Sequence, residues 1–583
     1  MNGLVLLLCA SAVFLVGYFV YSRFLSKVLG VDPSRPTPAH TRCDGCDYVP
    51  APTMVLFGHH FATIAGAGPI VGPVLAAEFG WAAVTLWIVL GCVLIGAAHD
   101  MIALFLSVRH DGESIGSVIG TILGRPGKIL FLVFSWSALV LVVAEFNRQI
   151  AGTFVADPAI ATASLLFIFE AILFGLCVYR LKVPVLWASL VFVPLMFASV
   201  WVGNVFPLDI VKMFGIAPET AGTIWLVGLL VYCFVASTCP VWILLQPRDY
   251  LNAYLLYAMM ALGFLGVFIA HPTLQTEAFA GFSAVGRSGG VDMLFPFLFV
   301  TVACGACSGF HALVASGTTA KQLSSEKSIR PIAYGGMLFE GVLAMIALIG
   351  VAGTYASQAD YVAAVQAKEP VQIFASTIAG FCVKIFTAFG MDAKVGARVA
   401  ESFMLLSVSA FLMTTVDSGT RLARFSWQEL VASFRGDGAD GKAAAAGPVY
   451  KVCHNMYAGT FLIVALVAAL LLGNPKAAKQ LWTIFASANQ LLASLTLLAA
   501  TLWFAKNRKP CWMTAVPMVF MLGVSSWALS AVLAKACRGG AWTLAAASAF
   551  LIAVAVALVC FAVNRFCGGA SRSGAIVRRE KRG

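Results

Sequence analysis

The feature that most constrains this chain is a run of roughly twenty apolar residues, the length of a helix crossing a bilayer core about 30 Å thick, which recurs along nearly its whole length. About fifteen such runs are found, at 3–22, 53–79, 81–106, 127–147, 159–178, 183–204, 221–245, 250–270, 292–320, 332–354, 399–420, 455–473, 480–505, 512–535 and 541–563. Composition agrees: 60% of residues are hydrophobic and 11% charged, and no water-facing surface can be built from that mixture. The expected fold class is an all-α polytopic membrane protein of about 15 transmembrane helices. A net charge of +12 would suggest nucleic acid for a soluble chain. On a membrane protein it reports basic cytoplasmic loops instead, so no nucleic-acid partner is expected, and the lipid bilayer is the solvent.

Basic residues fall unevenly on the two sides of this span pattern. Counted from an amino terminus placed outside, 27 of the 38 Lys and Arg collect on one side, from Arg23 and Lys27 to the tail beginning at Arg565. The positive-inside bias makes that side cytoplasmic, with the carboxyl terminus on it. The run 3–22 lacks a basic leader and is followed by Arg23 and Lys27, so it reads as an uncleaved helix rather than a secretion signal. Most of the 15 cysteines sit in apolar runs, where Cys behaves as a small hydrophobe. Cys43 and Cys46 stand in a hydrophilic loop as C-D-G-C, and one such pair without a second is a weak metal signal, so neither metal nor cofactor is expected.

Four units follow: a first helix and cytoplasmic loop (1–52), a transport core (53–420), a cytoplasmic linker (421–454), and accessory helices with a basic tail (455–583). Residues 371–390 are apolar but interrupted by Lys384, which favours an amphipathic helix on the external face over a re-entrant segment. The stretch 435–448, rich in Gly, Ala and Asp, reads as flexible linker.

Within the core the helices should break. Gly66, Gly68, Pro69, Gly72 and Pro73 crowd the middle of the second run, and such residues weaken a helix that only a protein-lined cavity can tolerate unwound. A second irregular run holds Ser237, Thr238 and Pro240, five runs later. Two interrupted helices opening two groups of five describe an inverted-repeat carrier with its site at the midplane. The third concentration of small and polar residues, Ala303 to Lys321, contains Gly309, His311, Ser316, Thr318 and Thr319. It serves either close helix packing or, as in LeuT-like folds, coordination of a coupling ion opposite the first broken helix.

On this basis His59, His60, Gly66, Gly68, Pro69, Ser237, Thr238, Gly309 and His311 are candidate substrate-binding residues. Ser316, Thr318, Thr319 and the isolated Glu170 are candidate ion-coupling residues, Glu170 because a lone carboxyl at mid-span is costly unless it has work to do. Of the adjacent His59 and His60, whose side chains point about 100° apart, one should face the site. Asp417, with Arg421 one turn later, suggests an ion pair or gate. Asp100 beside His99, and Glu145 beside Arg148, read as interfacial pairs.

The run V-L-F-G-H-H-F-A-T-I-A-G-A-G-P-I-V-G-P, the segment P-V-W-I-L-L-Q-P-R-D-Y, the stretch A-C-G-A-C-S-G-F-H-A-L-V-A-S-G-T-T, and T-T-V-D-S-G-T-R together resemble the carbon starvation protein A (CstA) family. The resemblance extends from about Val49 through N-P-K-A-A-K-Q-L-W-T-I-F-A-S-A-N-Q-L-L-A, and C-D-G-C departs from the family pattern. It implies a bacterial inner-membrane permease for peptides or pyruvate, with a LeuT-like core, read here as 5+5 helices, and proton coupling, H+ being expected as the coupling ion ahead of Na+. The alternatives are a Na+-coupled carrier of another small organic nutrient, a channel, and a membrane-embedded enzyme, for which no nucleophile, zinc or nucleotide signature is found.

Overall fold

The computed structural model describes residues 1–45, 47–240, 242–287, 289–435, 447–473 and 481–580. Cys46 and most of the expected linker, 436–446, lie outside the described residues. Among the described residues thirteen helices are long and apolar enough to cross a membrane, or up to fifteen if each of two bent pairs is one crossing.

In chain order the helices are α1 (Gly3–Leu29), the bent pair α2 (Thr53–Ile64) and α3 (Gly68–Phe79), and α4 (Trp81–Arg109). A short α5 (Ile115–Leu123) leads to α6 (Arg125–Ala156), α7 (Pro158–Arg180), α8 (Val185–Val205), α9 (Pro218–Thr238) and α10 (Leu245–Ala270). A two-stranded hairpin, β1 (Ser283–Val285) and β2 (Val291–Met293), precedes an interrupted helix made of α11 (Leu294–Thr301), α12 (Ala303–Ala306) and α13 (Gly309–Val314). Then come α14 (Glu326–Thr354), α15 (Pro370–Ala388), α16 (Ala393–Phe434), α17 (Met456–Leu472), α18 (Leu481–Lys506), α19 (Trp512–Arg538) and α20 (Trp542–Arg565).

Contacts between helix ends define two faces. On one, Gly3 N donates to Pro272 O at 2.7 Å and the β-hairpin lies near Lys535, whose Nζ is 3.6 Å from Asp292. On the other, Arg125 donates to Ser433 O and Lys509 to Val28 O. The clusters around Arg23, Arg109, Lys321 and Lys506 share this second, basic face, while Arg148, Arg287 and Lys535 lie toward the hairpin face.

Helix α15 is long and apolar enough to cross but does not. Its Ile378, Phe381 and Cys382 pack over Gly263 and Gly266 of α10 and Gly350 and Gly353 of α14, near the hairpin-face ends of both helices. Crossing would also put the start of α16 on the basic face, where its far end already sits beside Arg125. The interrupted helix from Leu294 takes the place of α15 among the crossings.

The packing repeats itself. The long helices α6 and α16 pack against each other at the centre. Helix α10 packs on α2 and α16, and α18 packs on α13 and α6; α15 lies against α10 and α16 as α5 lies against α18 and α6. The two halves therefore open with α2–α3 and with α11–α13, and α8 and α9 stand as an extra pair within the first. This corrects the expected second break. Helix α9 is continuous to Thr238, and Cys239, held extended before Pro240, ends it rather than bending it. It also moves the tenth core helix to α18, beyond the expected limit at 420.

Candidate transport site

The first break falls where the glycines and proline place it. Ala65 leaves the helical region with ψ of 58°, Gly66 N turns back to Ile64 O, and α3 restarts with Pro69 in its first turn, where no N–H is needed. The axis bends by 45°. The second break is at Cys307 and Ser308, both extended, between α12 and α13. The two meet around a cavity of about 10 Å³ lined by Gly66, Gly68, Phe146, Cys304, Phe310, Thr415 and Phe485, among others. That is room for about one water, and every one of these residues is buried. A Cβ on Gly68 would overlap the Cys304 side chain, and one on Gly309 would overlap the backbone of Asn489 and Ala493. Both glycines let the broken helices approach their neighbours. A groove of about 860 Å³ between α4, α11 and α19 is far larger, but it is walled by apolar side chains such as Trp87, Phe299 and Phe520. With Leu86, Leu90 and Val516 exposed on it, it is an apolar outer face of the helix bundle.

Asn489, on α18, holds the second break open. Its Oδ1 accepts from Phe310 N at 2.8 Å and its Nδ2 donates to Ser308 Oγ at 3.0 Å, so one amide serves backbone and side chain that the interruption leaves without helical partners. Sequence reasoning assigned it no role, although it stands in the quoted segment A-S-A-N-Q-L-L-A.

Behind the cavity lies a sealed polar cluster. Asp100 on α4 meets His99 Nδ1 at 2.8 Å and His311 Nδ1, on α13, at 2.7 Å; His311 Nε2 is 3.2 Å from Glu340 Oε2 on α14. All four side chains are fully buried. Asp100 and His99 are thus interior groups rather than an interfacial pair. His60 points toward the same region, its Nδ1 2.8 Å from Thr319 Oγ1, whereas His59 turns to Asp249, 3.3 Å away. Neither lines the cavity. Ser316 Oγ receives Ile115 N, and Thr318 returns its hydroxyl to Val314 O, so these two serve local structure. Glu340 was overlooked, although it is as isolated in its apolar run as Glu170.

Ion pairs flank the cavity on both sides. Toward the basic face, Arg248 is fully buried against Asp417, which also accepts from Tyr232 Oη at 2.7 Å. The expected Asp417–Arg421 pair does not form: Arg421 instead donates to Ala236 O and Cys239 O, both at 2.8 Å, capping the end of α9. Toward the hairpin face, Arg148 bonds Glu145 at 2.8 Å and approaches Glu369 at 3.6 Å, and Arg287 reaches Glu369 at 2.6 Å. Ser237 lies 3.4 Å from Thr460 on α17 and Thr238 bonds its own helix, so neither reaches the breaks. Glu170 accepts from Ser199 between α7 and α8, also away from them.

Comparison with known proteins places this architecture. The family model for the carbon starvation protein CstA matches residues 2–363 and 352–528. A Campylobacter jejuni protein named peptide transporter CstA is 33% identical, over 89% of this chain and 79% of its own length. The Escherichia coli peptide transporter CstA is 33% identical, over 89% and 80%. The Escherichia coli pyruvate/proton symporter BtsT is 32% identical, over 91% and 81%. Among solved structures, MhsT in complex with L-phenylalanine aligns with 82% of this chain and 99% of its own, at 13% identity and a TM-score of 0.48. On the strength of the family match and these relatives, the chain belongs to the carbon starvation protein CstA family.

Proposed function

We propose that this chain is a secondary active transporter that imports pyruvate or short peptides by proton symport, binding substrate where the two helix breaks meet. One observation carries the reading: two interrupted helices converge on a buried cavity with ion pairs on either side of it. That is the arrangement alternating access needs, because opening either side must disturb a discrete set of contacts. The start of α3 presents the positive end of a helix dipole at the break, which suits a carboxylate, and both substrates possess one. Relatives named as transporters, with no catalytic set called for, make this a transporter rather than an enzyme. A cavity of about 10 Å³ sealed by buried residues speaks against a standing channel. In this reading the face bearing most Lys and Arg is cytoplasmic and the hairpin face is external, in a bacterial inner membrane.

The test is uptake of radiolabelled pyruvate and of a di- and tripeptide panel into proteoliposomes, with proton and Na+ gradients imposed separately. Saturable accumulation that follows the proton gradient is expected. Accumulation that follows only Na+ would replace the coupling ion, and flux without accumulation would replace the carrier with a channel.

A further inference from the structure

We propose that the coupling proton is held between His311 and Glu340, in the sealed cluster they form with Asp100 behind the second helix break. The proposal rests on the proton-symport reading and gives it a site.

Asp100 fixes the proton count. With Asp100 ionised it only accepts hydrogen bonds, and in that state the two Nδ1 atoms that meet its oxygens, from His99 at 2.8 Å and His311 at 2.7 Å, are both donors. Each imidazole then has one nitrogen left. His99 Nε2 is buried without a partner. His311 Nε2 stands 3.2 Å from Glu340 Oε2, out of line for a hydrogen bond, and Glu340 Oε1 has no partner. In the proposal one proton serves the His311–Glu340 pair, as imidazolium with carboxylate or as imidazole with carboxylic acid. Its loss would leave a second bare negative charge beside Asp100.

Among the described residues, nothing around the cluster compensates such a loss. The titratable groups facing it are His60 on α2, Cys92 and His99 on α4, Cys304 on α12 and Cys307 in the break. Among the described residues, the Lys and Arg ion pairs all lie elsewhere. While the cluster is sealed the proton is locked in, and it can leave only when water reaches it from one side.

Position supplies the coupling. His311 follows Ser308 by one turn of α13, and its neighbour Phe310 lines the cavity and is held by Asn489. His60, one turn before the first break, is tied to Thr319 beyond α13. Whatever moves the halves of the broken helices to admit substrate also unseals His311 and Glu340. A proton is then taken from water on one face and returned to water on the other, with no other bond made or broken.

The experiment uses full-length protein in proteoliposomes with radiolabelled pyruvate and the peptide panel, comparing accumulation under an inward proton gradient with counterflow exchange at equal pH. Glu340→Gln keeps the shape and removes the titration: it should lose accumulation about tenfold or more while keeping counterflow within about twofold. Glu219→Gln, at an exposed carboxyl in the first turn of α9, should accumulate substrate like the wild type. Wild-type accumulation by Glu340→Gln overturns the proposal, and so does loss of counterflow along with accumulation in a variant that melts as the wild type does. If Glu340→Gln does not fold, Glu340→Asp decides, since a shifted pH profile supports the site and an unshifted one overturns it. A wild type that transports nothing removes the transport reading and this site together, an outcome distinct from a variant that behaves like its parent.

Discussion

The two helix breaks do the same job by different means. The first is written into its own segment, where Gly66, Gly68 and Pro69 leave the chain little helical stability and the turn closes on its own backbone. The second has no proline at the interruption and is completed by a side chain about 180 residues further on, Asn489, which takes up Phe310 N and Ser308 Oγ. A helix that cannot continue and a helix that is given a better alternative look alike in a finished fold. They differ in what their loss should do.

The largest effect should come from Asn489→Leu. It strands a buried donor on α13, at a cost of about 1–3 kcal/mol, and frees the break to rewind, so uptake should fall more than tenfold with a clear drop in melting temperature. Unchanged uptake would show that the second break, like the first, is locally encoded. Next is Gly68→Ala, which forces a methyl into Cys304 and should cost about 1–3 kcal/mol. Adding Cys304→Gly should recover most of that loss in a double-mutant cycle, and additive losses would contradict the close contact. Pro69→Ala should matter less, by about 0.5–1 kcal/mol, because a first-turn proline acts mainly by restricting the unfolded chain and the glycines remain. Uptake reduced as far as in Asn489→Leu would erase the contrast. The smallest effect belongs to Pro240→Ala, within about 0.5 kcal/mol, since α9 has already ended at Thr238. Transport abolished by that change in a well-folded protein would restore the segment around Ser237 to the site.

Legibility followed the range of the interaction. The hydrophobic runs and the first break could be read because apolar length and Gly–Pro crowding act within one helix. Glu340, a lone carboxyl in M-L-F-E-G-V-L, stands out in its apolar run as plainly as Glu170 does. Arg248 is different. Counted with the basic loops, it proves fully buried, because its partner Asp417 lies 169 residues away and helix periodicity pointed to the nearer Arg421. Helix α15 was legible in part: Lys384 favours a surface position, and the glycine beds of α10 and α14 show where it rests.

The sequence by itself determined that the chain lives in a membrane, roughly where its helices run, how its positive charge divides and where its first helix must unwind, because each follows from the transfer cost of residues close together in one segment. Only the tertiary structure decided which helix opens the second half, that Asn489 completes its break, that Asp417 belongs to Arg248, and that His311, Asp100 and Glu340 share one sealed pocket. Buried polar groups must find partners or remain costly, and in a bundle of fifteen crossings those partners come from whichever helix the packing brings near.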